Sequence, residues 1–297
     1  MTLFLSYRRL KTQTEPYLTH PRLLMHVARH SSAAVLAVTL LLALPTAAQT
    51  TSQPEALQAI RSAVNSELAA AKEDHSIWMY KDRDDSDDRR ALYDQVETRE
   101  GDLRRLIELN GQPLSPADAE AERQRILKYV NDPSEQAKSR KNSSHDDSQA
   151  EQLLKMLPEA FLWTVASQDH EYVTLSYIPN PAFNPPNIEA RVMGIMGGQV
   201  IIAREGDRIR TLKGRLTQDV KFGYGLFGRL NQGGTFDIER RQVGGGHWQI
   251  TESHVHIGGK ALLFKNIGQQ ADEVKTDWRP SPAPTLVDAA RVLGVEK

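Results

Sequence analysis

The sequence predicts an α+β chain built on an antiparallel, meander-like sheet. Three observations lead there. Over 160–267 the pattern is almost wholly that of short strands separated by turn residues. Helical periodicity is confined to the front and middle of the chain, so the regular strand–helix alternation of a parallel sheet is missing. The glycine-rich segment Phe222-Gly-Tyr-Gly-Leu-Phe-Gly-Arg-Leu-Asn-Gln-Gly-Gly-Thr-Phe236 joins two strand-like stretches rather than a strand and a helix.

Residues 1–48 read as a secretory leader. The apolar run Ala33-Ala-Val-Leu-Ala-Val-Thr-Leu-Leu-Leu-Ala-Leu44 follows Arg29 and is short for a membrane span. It has no polar face, which argues against an uncleaved amphipathic anchor. Pro45-Thr-Ala-Ala48 offers small residues to a signal peptidase, so cleavage is expected between Ala48 and Gln49. Met25 would open a leader of ordinary length, and Arg8-Arg9 lies too far ahead of the run for a twin-arginine signal. The mature chain, 49–297, is then expected to be a single periplasmic domain with no transmembrane anchor. It would carry a polar insertion at 134–148 and a proline-rich tail at 279–297.

The elements follow in order. Residues 53–72 are alanine-rich, with Leu57, Ile60, Val64 and Leu68 on one helical stripe. Ser76-Ile-Trp-Met-Tyr-Lys reads as a strand with Trp78 and Tyr80 on one face, and Asp84-Asp-Ser-Asp-Asp88 as a solvated hairpin tip. That tip lacks the glycine and closing glutamate of a calcium loop. Strands at 90–98 and 103–109 precede the tight turn Asn110-Gly111. Ser115-Pro-Ala-Asp118 has the cap, proline and acid of a helix start, and that helix runs to Val130. Residues 134–148 read as a polar linker, and 150–157 as a short helix stopped by Pro158. Strands are expected at 160–166, 171–178, 199–205, 208–216, 236–243, 248–257 and 260–267, with a helix at 187–196 and another opened by Thr285. The prolines of Pro179-Asn-Pro-Ala-Phe-Asn-Pro-Pro186 cannot donate to a ladder and belong outside the sheet.

Several function classes are disfavoured. Gly223, Gly225 and Gly228 spell G-x-G-x-x-G, but a dinucleotide site needs a helix N-terminus there to receive the pyrophosphate. The glycines instead suit a sharp strand-to-strand bend carrying Tyr224, Leu226 and Phe227. The chain has no cysteine, which excludes disulfides, thiolate metal sites and a cysteine nucleophile. Of its 37 basic and 38 acidic residues, five and one fall in 1–48, so the mature part is net acidic, near −5, and gives no support to nucleic-acid binding. No G-x-S-x-G elbow occurs. His254 and His256 share one strand face near His247 and Glu252, open to a metal site or to a simple solvent face. The carboxylate pairs Asp169/Glu171 and Asp237/Glu239 read as outward-facing. No metal, cofactor or catalytic group is called for.

The Trp78-x-Tyr80 strand and the turn Leu106-x-x-x-Asn110-Gly-x-Pro113-Leu114 are followed by Leu157-Pro-x-Ala160-Phe161 and the 179–186 proline run. With Met193-x-x-Met196-Gly-Gly198, the 222–228 glycines, Gly233-Gly-Thr-Phe236, Trp248 and Gly259-Lys-x-Leu-Leu263, they resemble LolA-like envelope proteins. That resemblance implies a curved antiparallel sheet forming a half-open barrel, with helices covering its concave face. It also implies a non-enzymatic carrier for lipids or lipoprotein acyl chains, or a protein-interaction sensor or assembly factor of the envelope that carries no ligand. Aromatic and methionine side chains suit a groove for a chain of variable shape. Phe161, Trp163, Met193, Met196, Tyr224, Leu226, Phe227 and Trp248 are the candidate lining. Taken singly, each is more readily explained as filling the core.

Overall fold

The computed structural model describes residues 53–222, 228–261 and 269–295. The leader with its Ala48–Gln49 junction, the alternative start Met25, and Tyr224, Leu226 and Phe227 lie outside these. Among the described residues the chain is α+β, with one large antiparallel sheet and five α-helices.

Helix α1 (Gln53–Glu73) buries Ala56, Ile60, Ala63, Val64 and Glu67, one stripe at helical spacing. Three hairpin-linked strands follow: β1 (Trp78–Ser86), β2 (Arg89–Thr98) and β3 (Gly101–Leu109). Asn110 and Gly111, both at positive φ (54° and 75°), turn β3 into the two-residue β4 (Gln112–Pro113), the conformation that asparagine and glycine tolerate best. Helix α2 (Pro116–Val130) starts at Ser115, whose hydroxyl accepts from Asp118 N–H. It lies along the edge of β3. Glu122 accepts from Leu106 N–H at 2.8 Å and Arg125 donates to Arg104 C=O at 2.7 Å, so side chains blunt that edge.

The stretch expected as a linker is helical. Helix α3 (Pro133–Ala160) runs through it and through Pro158. Asp132 caps it, accepting from the N–H groups of Ser134 and Glu135, and Pro133 takes the first helical position, where no N–H is needed. Asn131-Asp-Pro133 thus ends one helix and opens the next. Burial within α3 begins only at Ala150, which is why the exposed first half carries no apolar period.

The remaining strands are β5 (Phe161–Gln168), β6 (Tyr172–Pro179), β7 (Met196–Ala203), β8 (Arg208–Leu216), β9 (Val220–Phe222), β10 (Gly228–Leu230), β11 (Thr235–Gly244), β12 (His247–Ile257), β13 (Gly259–Ala261) and β14 (Gln269–Pro280). Helix α4 (Ile188–Met193), capped by Asn187, precedes β7, and α5 (Leu286–Val292), capped by Thr285, follows β14. The main sheet has eleven strands in the order β4-β3-β2-β1-β14-β12-β11-β8-β7-β6-β5 and does not close. Strands β9 and β10 pair antiparallel, Phe222 opposite Gly228, and with β13 form a small second sheet. The glycine motif therefore connects two paired strands, as its flanking pattern predicts.

Strand β14 corrects the sequence reading. Residues 269–280 were not expected as a strand, yet they form the longest one and join the front hairpins to the rest of the sheet. Two apolar clusters lie on opposite faces. The larger joins α1, the second half of α3 and α4 to the inward residues of β5–β8, β11 and β12. The smaller packs Val96 and Leu103 against Ile126 of α2 and Leu286, Ala289 and Ala290 of α5. No helix among the described residues is long and apolar enough to cross a membrane.

Glycines leave room for neighbouring groups on the inner face of β7 and β8. A Cβ on Gly214 would come within 2.5 Å of Tyr177 Oη, and one on Gly198 would overlap the Lys213 carbonyl. Gly198→Ala and Gly214→Ala are each expected to cost about 1–3 kcal/mol by overpacking. Gly197→Ala, whose Cβ would meet Thr217 Cγ2 at 3.3 Å, is expected to cost less. Urea unfolding midpoints check this order, and equal midpoints for all three would overturn it.

Candidate functional site: the inner face of the sheet

Directly paired residues on antiparallel strands point to the same face, so register alone maps the surface beneath the helices. One row runs Val165–Leu175–Val200–Leu212–Ile238–Ser253–Glu273–Asp84–Ala91–Leu109. It is apolar from β5 to β11 and polar from β12 to β1. The inner face is therefore divided into two chemistries.

The apolar half holds four of the expected residues. Phe161, Trp163, Met193 and Met196 are buried in one cluster. Phe161, Trp163 and Tyr177 form an aromatic triangle with centroid separations of 5.7, 4.5 and 5.2 Å. The Tyr177 hydroxyl donates to Lys213 C=O at 2.8 Å, and burial pushes its pKa well above the ordinary phenol value. Trp163 is 2% exposed, yet its indole N–H has no acceptor among the described residues. Met193 closes α4 while Met196 opens β7, so they do not share a helix face as expected; the cluster brings them together instead. Trp248 is half-buried and belongs to neither cluster.

The charged half was not expected. Tyr80, Asp82 and Asp84 alternate on β1, Tyr93 and Gln95 lie opposite on β2, Arg104 on β3, and Glu273 and Lys275 on β14. Asp82, Asp84 and Lys275 are buried. Lys275 Nζ meets Glu273 at 3.3 Å and stands 5.7 Å from the Tyr80 ring, on which Trp278 stacks at 4.2 Å. Arg104 lies over the Tyr93 ring at 4.3 Å. Burial and then the Glu273 charge push the Asp82 carboxyl up to about 7, against the pull of Lys275 and Arg104. Burial raises Asp84 as well. The period-two run Tyr80-x-Asp82-x-Asp84 on a strand was the available signal. Its partners on β14 were hidden because that strand was not recognised.

A third buried charge ties α1 to the sheet. Glu67 accepts from Arg208 Nε and Nη2 at 3.1 and 3.0 Å, from Ile209 N–H at 2.8 Å and from Arg240 Nη1. Burial alone would raise its carboxyl, but the Arg240 and Arg208 guanidinium groups outweigh that and hold it below the ordinary value.

On the outer side, His254 and His256 share a face as expected, and both meet Asp272 Oδ1, at 2.6 and 3.0 Å. His247 is held elsewhere, against Asp74 at 3.1 Å. No group of three His, Cys, Asp or Glu among the described residues is arranged to hold a metal ion. Beside His256 a polar cleft of about 490 Å³ is lined by Asp85, Arg90, Asn110, Gln270 and Asp272 among others. Asp237 and Glu239 lie together on the outer side of β11, against Lys213 Nζ at 2.9 and 3.7 Å.

Comparison with family models, with curated proteins and with solved structures yields no match.

Proposed function

We propose that the protein is a non-enzymatic periplasmic carrier, reached through the leader, that holds a lipid or lipoprotein acyl chain between its sheet and helices α1, α3 and α4. In this reading the open eleven-stranded sheet is the half-open, LolA-like barrel that the sequence resemblance implies. The observation that carries it is Trp163. A buried indole N–H without an acceptor is costly, about 1–3 kcal/mol, and the ester or amide carbonyl of an acylated ligand supplies one. Phe161 and Tyr177 pack against the Trp163 ring, and Met193 and Met196 belong to the same buried cluster, which adds flexible apolar side chains. Admission of a chain exchanges helix–sheet contacts for ligand contacts of similar apolar area, at about 25 cal/mol per Å² on either side.

Native mass spectrometry of the mature protein, with uptake of a fluorescent fatty acid, tests this. Lipid adducts and saturable uptake are expected, with uptake reduced about ten-fold in Trp163→Phe, which removes the donor but keeps most of the ring. Absence of both adduct and uptake would sink the carrier. The exposed first half of α3 favours a second reading, a sensor or assembly factor that binds another envelope protein. Under it, the same spectra show protein complexes and no lipid.

A further inference from the structure

The charged half of the inner face does nothing for an acyl chain, and it holds an unmet demand. Asp82 is 5% exposed, and its Oδ1 accepts no hydrogen bond among the described residues. Asp84 and Glu273 are cross-strand partners on the same face, and both act on Asp82 as like charges. Lys275 is engaged with Glu273, and Arg104 lies over Tyr93. Among the described residues nothing donates to that oxygen, and a ligand can supply the donor. A neutral hydroxyl would satisfy the oxygen but add nothing to Lys275 and Arg104, the cations that oppose the charges of Glu273 and Asp84 on Asp82. A metal ion would need several converging ligands, and the described residues offer no such group. An ammonium supplies donor and charge together. The Tyr80 ring, two residues along the same face and stacked on Trp278, already has Lys275 Nζ 5.7 Å from its centroid, so this face holds a cation beside a π-surface.

We infer that Asp82, with Asp84 and Glu273, binds the protonated amine of an amphiphile whose chain lies on the adjoining apolar half. The inference rests on the carrier reading and names its ligand class, an amine-bearing lipid or lipid-like molecule. Ser253, in the row between Ile238 and Glu273, marks the border where chain gives way to head. Because burial and Glu273 keep Asp82 partly protonated near neutrality, ammonium binding ionises it and releases a proton.

The test uses the mature protein at pH 7 with dodecylamine and dodecanol, read by displacement of a fluorescent fatty acid and by calorimetry in two buffers of different ionisation enthalpy. Dodecylamine is expected to bind at least about ten-fold tighter and to release protons on binding. In Asp82→Asn, and independently in Glu273→Gln, the affinity ratio falls towards one and the proton release shrinks. A ratio is used because it survives partial loss of folded protein in either variant. Equal affinities in the unmodified protein, or a preference intact in both variants, would overturn the amine site and leave the carrier standing. Failure of both amphiphiles to bind would overturn the carrier, and the amine site with it.

Discussion

Replacing Glu67 by alanine is expected to destabilise the protein by about 3–5 kcal/mol, the largest single-residue effect foreseen. The change leaves the Arg240 guanidinium, 4% exposed, without its counter-charge and strips the Ile209 N–H of its acceptor. For a domain of this size the melting temperature should fall on the order of 10 °C. The pair Glu67→Ala with Arg240→Ala should cost clearly less than the sum of the two single changes, because the second removes the charge that the first strands. Additive losses would show that the two side chains do not act as a unit. The lowered carboxyl of Glu67 also sets an acid limit. Its folded value lies below its unfolded one, so its stabilisation is present above the unfolded value. That stabilisation is lost as pH falls through the folded one, and thermal melts below about pH 4.5 should show a loss that Glu67→Ala no longer shows.

The second large effect has the opposite sign. Asp82 is raised to about 7 by burial and Glu273, so the folded state binds a proton between roughly pH 4 and pH 7 that the unfolded chain has released. Stability from this group is therefore greatest below the unfolded value and is lost as pH rises through 7. Ligand-free Asp82→Asn, which stays neutral, should be more stable than the unmodified protein at pH 8, by up to roughly 4 kcal/mol if the whole shift is expressed. Near pH 4 the two should nearly coincide. Melting temperatures of both across pH 4.5 to 8 check this, and a difference that does not grow with pH would remove Asp82 from the account. A fold that retains a destabilising carboxylate at neutral pH is storing free energy where a ligand can release it.

Most of the elements were legible from local pattern. Ser115 with Pro116, the turn at Asn110-Gly111, the period-two runs of β5–β8, β11 and β12, and Thr285 ahead of α5 each have a physical signature within a few residues. Two of the misses share a cause. The first half of α3 is helical yet buries no side chain before Ala150, so it has no apolar stripe, and its Asp132-Pro133 cap was outweighed by polar composition. Strand β14 turns Glu273 and Lys275 inward, so the alternation of greasy and polar residues that announces a half-buried strand is absent.

What the sequence determined by itself is the α+β class, most element boundaries and, through helical and strand periodicity, which side chains share a face. Only the tertiary structure decided which faces meet. Strand order depends on pairing between segments distant along the chain, and no local pattern records that β14 lies between β1 and β12. That placement sets Glu273 and Lys275 beside Asp82 and Asp84 and turns half of the inner face into a charged surface. The same face satisfies the buried charge of Glu67 and leaves Trp163 Nε1 and Asp82 Oδ1 without partners among the described residues. Satisfaction of a buried polar group is a property of its neighbours in space, and those are set only once the sheet has assembled.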